Sequence, residues 1–161
     1  MAWKLLAAVD LDGNGKADLI WQNTTVTVVF WYMGGLDGST VLSSKQLAGD
    51  SATWHIAAVA DLNGDGKQDL IWQNTAGTVV VWYMGGADGS VYHSEKQLAG
   101  DSAAWKLVAA SDMDGNGKAD LLWQNTTGTV VAWYMGGADG SVFLSGKQVA
   151  GDSPTWKVVG F

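Results

Sequence analysis

One acidic, glycine-punctuated stretch is written three times in this chain at a fixed spacing of 51 residues. It reads DLDGNGKADLIW from Asp10, DLNGDGKQDLIW from Asp61 and DMDGNGKADLLW from Asp112. A catalytic centre is normally unique in a chain, whereas a device that builds each unit of an array recurs with the unit. The repetition therefore predicts an array of three similar units that form a core by stacking.

The ten tryptophans follow the same spacing and fall into three series. The series are Trp3, Trp54, Trp105 and Trp156; Trp21, Trp72 and Trp123; and Trp31, Trp82 and Trp133. A tryptophan is large enough to anchor a layer of packing, so its recurrence at constant phase favours a structural role between units. In the repeated WYM motif, strand alternation sends Trp and Tyr to opposite faces. We expect Tyr32, Tyr83 and Tyr134 to be the freer residues.

The middle unit divides into four short strands separated by turn signals. The apolar stretch WHIAAVAD at 54–61 predicts the first strand, QDLIWQN at 68–74 the second, and TVVVWYM at 78–84 the third. The more polar VYHSEKQLAG at 91–100 predicts the fourth. The turns are NTAGT and GGADGS, whose glycines suit positive φ. No segment keeps apolar residues at helical spacing.

Four strands in a unit of about fifty residues predict an all-β fold, the β-propeller, with blades of four antiparallel strands. A parallel β-helix has far shorter coils, and a β-trefoil has repeats of about forty residues. We expect a single repeat array over 1–161. Blade one is predicted at about 3–50, blade two at about 54–101, blade three at about 105–152, and an extra inner strand at 155–161.

Three blades do not complete a ring, because propellers typically have four to eight. Open sheet faces and edges recruit partners, so we expect the ring to close by homo-oligomerisation. A homodimer of about six blades is favoured, and a homotrimer of about nine is the alternative. The segment TWKVVGF repeats the first strand. We expect it to compete with 3–9 for one inner position, and one copy to be displaced or swapped.

Each acidic loop carries oxygen-bearing side chains at relative positions one, three, five and nine, and a lysine at position seven that would offer its backbone carbonyl as a further ligand. The residues are Asp10, Asp12, Asn14, Lys16 and Asp18; Asp61, Asn63, Asp65, Lys67 and Asp69; and Asp112, Asp114, Asn116, Lys118 and Asp120. Three carboxylates and one amide in each loop favour Ca²⁺ over Zn²⁺, copper or Mg²⁺. An Asp/Asn/Gly turn that only reverses the chain is the alternative interpretation. Clustered carboxylates without a cation would repel one another, which favours a structural calcium cofactor.

These loops resemble the D-x-[DN]-x-[DN]-G-x-x-D loop of the FG-GAP or VCBS repeat family of β-propellers, at matching positions in all three units. The stretch DGNGKADLIWQN is similar to bacterial members, and integrin α-subunit propellers belong to the same broad group. The F-G-x-G-A-P element is not present in this chain. The resemblance implies structural Ca²⁺ at the loops, an extracellular or cell-surface location, and a role in adhesion or ligand binding.

Composition argues against several other classes of function. Sixteen acidic residues stand against nine lysines and no arginine, giving a net charge of −7. Nucleic acid is therefore a poor partner, because phosphate binding needs clustered basic residues. No apolar run reaches the roughly 18 residues of a membrane span, so membrane insertion is not expected. The opening MAWKLLAAVD lacks the features of a signal peptide.

No catalytic motif is found, and His55 and His93 occur in one unit only, so we expect no enzyme. The favoured function is a non-catalytic, calcium-stabilised propeller module that binds a glycan, as a lectin does, or an extracellular protein. The alternative is a purely structural or engineered self-assembling propeller fragment, because the repeats are nearly identical. A polysaccharide-active enzyme that uses Glu95 is the third interpretation. The sequence names no ligand-binding residues.

Val26 breaks the repeat in the turn between the second and third strands. The equivalent residues of the other units are Gly77 and Gly128. Glycine at such a position suggests a positive φ, which a β-branched residue adopts at a cost. We expect the first hairpin to differ in conformation from the other two.

Overall fold

The computed structural model describes residues 2–47, 49, 51–151, 153, 155 and 157–158, without the side chains of residues 99 and 101. They form three four-stranded antiparallel sheets, which we call blades one, two and three. The strands are β1 (Trp3–Val9), β2 (Asp18–Asn23), β3 (Val28–Gly34) and β4 (Thr40–Leu47); β5 (Trp54–Ala60), β6 (Asp69–Asn74), β7 (Thr78–Gly85) and β8 (Val91–Asp101); and β9 (Trp105–Ser111), β10 (Asp120–Asn125), β11 (Val130–Gly136) and β12 (Val142–Ala150).

The all-β prediction is confirmed, and the strands of the middle unit agree with their predicted ranges to within one or two residues. Each blade is a meander in which neighbours in sequence pair antiparallel. None of the described residues forms a helix that is long and apolar enough to cross a membrane. Most of the predicted extra strand at 155–161, namely 156 and 159–161, lies outside the described residues.

Blade two buries residues on both of its faces, because successive side chains of a strand point in opposite directions. In β6, Trp72 packs with Ile20 and Phe30 of blade one, whereas the next residue back, Ile71, packs with Trp123 of blade three. We call the face toward the preceding blade the leading face and the opposite one the trailing face. Trp72 and Trp123 are 1% and 2% exposed, so the repeated tryptophan of the second strand is a packing residue.

In blades one and two, a glutamine near the end of the second strand crosses to the next blade. Gln22 Oε1 accepts the backbone N–H of Ile56 at 3.2 Å, and Gln73 Oε1 accepts that of Leu107 at 3.1 Å. Gln73 Nε2 also donates to the carbonyl of Trp105 at 3.0 Å. Gln73 is fully buried, so its amide satisfies two backbone groups that would otherwise lie in the junction unpaired. These bonds fix the first strand of one blade against the second strand of the blade before it.

The tyrosines of the WYM motif make a further contact between blades. The hydroxyl of Tyr32 donates to the carbonyl of Asp88 at 3.0 Å, and that of Tyr83 donates to the carbonyl of Asp139 at 2.8 Å. Both tyrosines are buried, so the expectation that they are the freer residues is wrong. Desolvation by burial raises the pKa of Tyr32 to about 12, so its hydroxyl keeps the proton that it donates.

The first hairpin has the same turn as the other two, and the expected difference at Val26 is wrong. Val26 has φ 67°, against 97° at Gly77 and 91° at Gly128, and each residue donates its N–H to the carbonyl three residues before it. The Val26 side chain is buried in the core between blades one and two. Burying a valine stabilises by about 1.5–3 kcal/mol, which matches the strain of about 1–3 kcal/mol at a positive φ.

Gln73→Leu tests the polar part of the junction. The substitution leaves the N–H of Leu107 and the carbonyl of Trp105 without their partner in a buried place, so we expect a loss of about 2–4 kcal/mol in the free energy of unfolding. Urea denaturation measures it. Gln97→Leu, at an exposed position of β8, is the matched control and should change stability by less than about 0.5 kcal/mol. Equal effects of the two substitutions would contradict the role of the amide.

Candidate metal centres

The aspartate at position nine of each loop is fully buried where the second strand begins. Asp18, Asp69 and Asp120 are each 0% exposed. One carboxylate oxygen of Asp69 accepts the N–H of Leu62 at 2.9 Å, and the other accepts the N–H of Met84 at 2.9 Å. The first and third loops repeat both bonds. The carboxylate thus joins the start of its loop to the third strand, a structural role that the ligand pattern did not predict.

The aspartate at position one organises the loop backbone around its side chain. The carboxylate of Asp10 accepts N–H groups from Gly13 at 2.7 Å, Gly15 at 2.8 Å and Asn14 at 3.2 Å. The positive φ of Gly13 and Gly15, 83° and 79°, belongs to the backbone path that brings these amides to one carboxylate. Desolvation raises the pKa of Asp10, but the three N–H groups outweigh it and the net pKa is lowered. The carboxylate is therefore held in its ionised form.

The residue at position five distinguishes the middle loop from the outer two. Asn14 Nδ2 donates to the carbonyl of Met33 in β3 at 2.9 Å, and the third loop repeats this contact. Asp65 stands at the same position in the middle loop, where an ionised carboxylate has no proton to donate. Its Oδ2 instead accepts the side-chain N–H of Asn63 at 3.1 Å. Exchanging Asn and Asp between positions three and five keeps the charge but changes how the side chains are held.

Three carboxylates share one space in the first and third loops. The groups are Asp10, Asp12 and Asp18, and Asp112, Asp114 and Asp120; in each, one oxygen per residue lies within 4.8 Å of the others. Oxygens that bind one Ca²⁺ at 2.3–2.6 Å lie at most about 5 Å apart, so each group has the spacing to hold a metal ion. An all-oxygen donor set with carboxylates suits a hard cation.

The middle loop and the lysines at position seven differ from the two three-carboxylate groups in their contacts. In the middle loop, Asn63 occupies the position of the second carboxylate, which leaves the acids at positions one, five and nine. Lys67 Nζ donates to the carbonyl of Ala87 at 3.0 Å, whereas Lys118 Nζ crosses to blade two and donates to the carbonyl of Asn63. That the backbone carbonyls at position seven and the amide oxygens at position five bind the ion stays a prediction.

A cavity lined by tryptophans lies where blade two meets blade three. Its volume is about 320 Å³, and the lining residues are Gly100, Ser102, Trp105, Trp123, Val131 and Trp133. The rings of Trp123 and Trp133 lie 5.0 Å apart between centroids, with their planes inclined by 49°. The equivalent tryptophans of blade one line a similar cavity of about 310 Å³. A tryptophan-lined cavity therefore occurs at equivalent positions of blades one and three.

Two overlapping segments of the chain match the family model of the FG-GAP-like repeat, at residues 10–72 and 61–123. Each segment runs from the first aspartate of one acidic loop to the tryptophan that ends the next loop-and-strand stretch. Each matched segment therefore contains two of the acidic loops. Among curated proteins, no match to the chain is found.

Asp120→Asn separates the structural role of position nine from metal binding. The new amide turns an N–H₂ group toward the N–H of Met113 or Met135, so one donor loses its acceptor and we expect a loss of about 1–3 kcal/mol even in excess chelator. Asp114→Asn is the control, because the middle loop already carries Asn at that position. Chemical denaturation in chelator should show little change for Asp114→Asn; equal stability of the two variants would contradict the assignment.

Proposed function

The chain belongs to the FG-GAP-like repeat family, and from this we propose that it is a non-catalytic, calcium-stabilised β-propeller module whose role is binding. The observation that carries the proposal is the pair of three-carboxylate groups, whose oxygens lie within the span of one calcium coordination sphere. An ion in each loop would offset the repulsion among the carboxylates. Three ions would add six charges and bring the formal net charge from −7 to −1.

Calcium would stabilise the fold through bonds that the chain has already arranged. Asp18 holds the loop to β3 through the N–H groups of Leu11 and Met33, and Asp10 holds the turn of the loop itself. An ion bound to both carboxylates would link these two parts directly. We expect dissociation constants of about 10⁻⁴–10⁻³ M, the range of extracellular calcium modules, at which the sites fill only where calcium reaches millimolar concentration. This supports an extracellular or cell-surface location.

The cavity around Glu95 supports a non-catalytic role. It has a volume of about 380 Å³ and is lined by Leu47, Trp82, Met84, Tyr92 and Glu95. Glycoside hydrolysis normally uses two carboxyl groups about 5–9.5 Å apart on either side of the bond. Among the described residues that line this cavity, Glu95 is the one carboxylate, so the polysaccharide-active alternative has half of the required pair there.

The ligand class we propose is a glycan, with an extracellular protein as the alternative. The tryptophan-lined cavity supports this, because an exposed indole face packs well against the apolar face of a sugar ring. Trp105 and Trp133 are each partly exposed at its edge. A glycan array probed with the purified protein distinguishes the two classes, since binding there requires no protein partner.

We expect up to three Ca²⁺ ions per chain in calorimetric titration, and a lower melting temperature in chelator. Asp61→Ala should remove binding at the middle loop alone. The double variant Asn63→Asp with Asp65→Asn gives the middle loop the outer-loop pattern at unchanged charge, and should raise its affinity to that of its neighbours. Absence of heat and of bound metal at millimolar Ca²⁺ would overturn the calcium proposal.

Self-association is the second candidate function, and it covers the structural or engineered alternative. It rests on Leu5, which is 45% exposed, whereas the equivalent Ile56 and Leu107 are 5% and 4% exposed because a preceding blade covers them. A chain that leaves such a face uncovered has a surface shaped for another blade. A homodimer would bring together about six blades and a homotrimer about nine, and six lies within the usual range.

Sedimentation equilibrium tests the association directly. We expect a species of twice the 16.9 kDa chain mass at micromolar concentration. A species of three times that mass would select the trimer. A monodisperse monomer over the same range would overturn self-association while leaving the calcium proposal intact.

A further inference from the structure

The trailing face of blade three is uncovered at its acidic loop and along β12, although Val130 and Ala132 nearer its middle are buried. Met113 is 43% exposed, whereas the equivalent Leu11 and Leu62 are 2% and 0% exposed. On the fourth strand, Val149 is 50% exposed and the equivalent Leu98 is 2% exposed. Some of the apolar positions that the internal junctions bury are therefore accessible at the ends of the array, at Leu5 in blade one and at Met113 and Val149 in blade three.

The hydrogen-bonding groups of the junction also recur at the two ends. At the internal junction, the hydroxyl of Tyr83 donates to the carbonyl of Asp139 in the turn of the next blade. The equivalent of Tyr83 on blade three is Tyr134. The equivalent of Asp139 on blade one is Asp37, which no tyrosine of a preceding blade contacts in this chain. Tyr134 is partly exposed, with no hydrogen-bond partner for its hydroxyl among the described residues. Donor and acceptor thus stand at opposite ends of one chain.

Charge follows the same arrangement. Lys96 Nζ lies 2.8 Å from a carboxylate oxygen of Asp139 across the junction between blades two and three. The equivalent lysine of blade three is Lys147, and the equivalent acid of blade one is Asp37. Both are exposed or partly exposed in this chain. The two end faces are therefore complementary to each other in apolar contacts, hydrogen bonds and charge, and neither face is complementary to itself.

We propose that the trailing face of blade three receives the leading face of blade one of a second copy, in the register of the internal junctions. In this arrangement Tyr134 of one copy donates to the carbonyl of Asp37 of the other, and Lys147 pairs with the carboxylate of that residue. The contact is head-to-tail, so each copy uses two different surfaces. This inference rests on the self-association proposed above and specifies the surfaces that meet.

The C-terminal segment occupies the position on blade three where the first strand of a second copy would bind. The N–H of Val158 donates to Gln124 Oε1 at 3.2 Å, as Leu107 does to Gln73 one unit earlier. In the second copy, Leu5 is the equivalent residue, so its β1 and the segment around Val158 compete for one place. β1 is paired with β2 from residue 3 to residue 9, so in the second copy it would bind as part of a folded blade. The C-terminal segment is therefore the one that gives way.

Single substitutions at the two ends test the head-to-tail arrangement. Leu5→Asp places a charge on the leading face and Met113→Asp on the trailing face, and both residues are more than two-fifths exposed in the chain, so the fold should tolerate them. Melting curves in calcium check this. In sedimentation equilibrium, each variant alone should be monomeric where the wild-type chain associates.

An equimolar mixture of the two variants should recover a dimer, because the trailing face of the Leu5→Asp copy meets the unaltered leading face of the Met113→Asp copy. The mixed dimer has one unaltered junction, whereas a closed wild-type dimer has two. The mixture is therefore also measured at up to tenfold higher concentration. Variants that associate like the wild type, or a mixture that stays monomeric, would overturn the docking assignment. A wild-type chain that is itself monomeric would instead overturn the self-association on which it rests.

Two further substitutions test the register and the competing segment. Tyr134→Phe should weaken association about three- to tenfold, and Tyr92→Phe, at an exposed position of β8, should leave it unchanged. Val158→Pro removes the N–H that binds Gln124 and should strengthen association, since the competitor is loosened. Weaker association of Val158→Pro would show that the C-terminal segment itself binds beside Gln124 in the assembly, and would overturn the assignment of that position to β1.

Discussion

The buried aspartate at position nine is the interaction on which the rest of each unit depends. A carboxylate loses much of its hydration when it is enclosed, and burial raises the pKa of Asp69 to about 6 even though two N–H groups are directed at it. Those two bonds tie the loop to the third strand at one point. The N–H that the third strand donates belongs to the methionine that ends the WYM motif, so the same carboxylate contacts the loop and the strand that lines the junction. Loop and junction therefore share one anchor.

The junctions between blades combine a large apolar contact with a few directed bonds. Trp72 and its neighbours supply buried apolar surface, and this contact does not depend on one exact alignment of the blades. The amide of Gln73 and the hydroxyl of Tyr83, in contrast, find their hydrogen-bond partners in one alignment only. Ion pairs add less, because Lys45 and Asp88 lie 3.9 Å apart with both side chains well exposed, and such pairs contribute about 0–1 kcal/mol. The apolar contact supplies most of the stability, and the polar groups determine the alignment.

Periodicity made the strands and the packing role of the tryptophans predictable, because both depend on local alternation and constant phase. The dual role of Asp69 was not predictable, since the pattern for a metal ligand and the pattern for a buried clamp use the same residue. The burial of Tyr83 is not predictable from its own strand, because its acceptor lies 56 residues away on another blade. The conformation of Val26 is not predictable from its torsional preference alone, because burial in the core between blades one and two offsets the strain. Each failure concerns a partner that the local sequence does not contain.

The repetition of the Gln73 and Tyr83 contacts from unit to unit also has a genetic consequence. If the gene gained or lost a whole unit, the chain would need no new kind of contact surface. A chain changed in this way inherits boundaries between blades that already fit, since every unit carries both halves of the same contact surface. Unit number can then vary without the simultaneous mutations that a new pair of surfaces would require, and selection acts on the curvature and closure of the assembly.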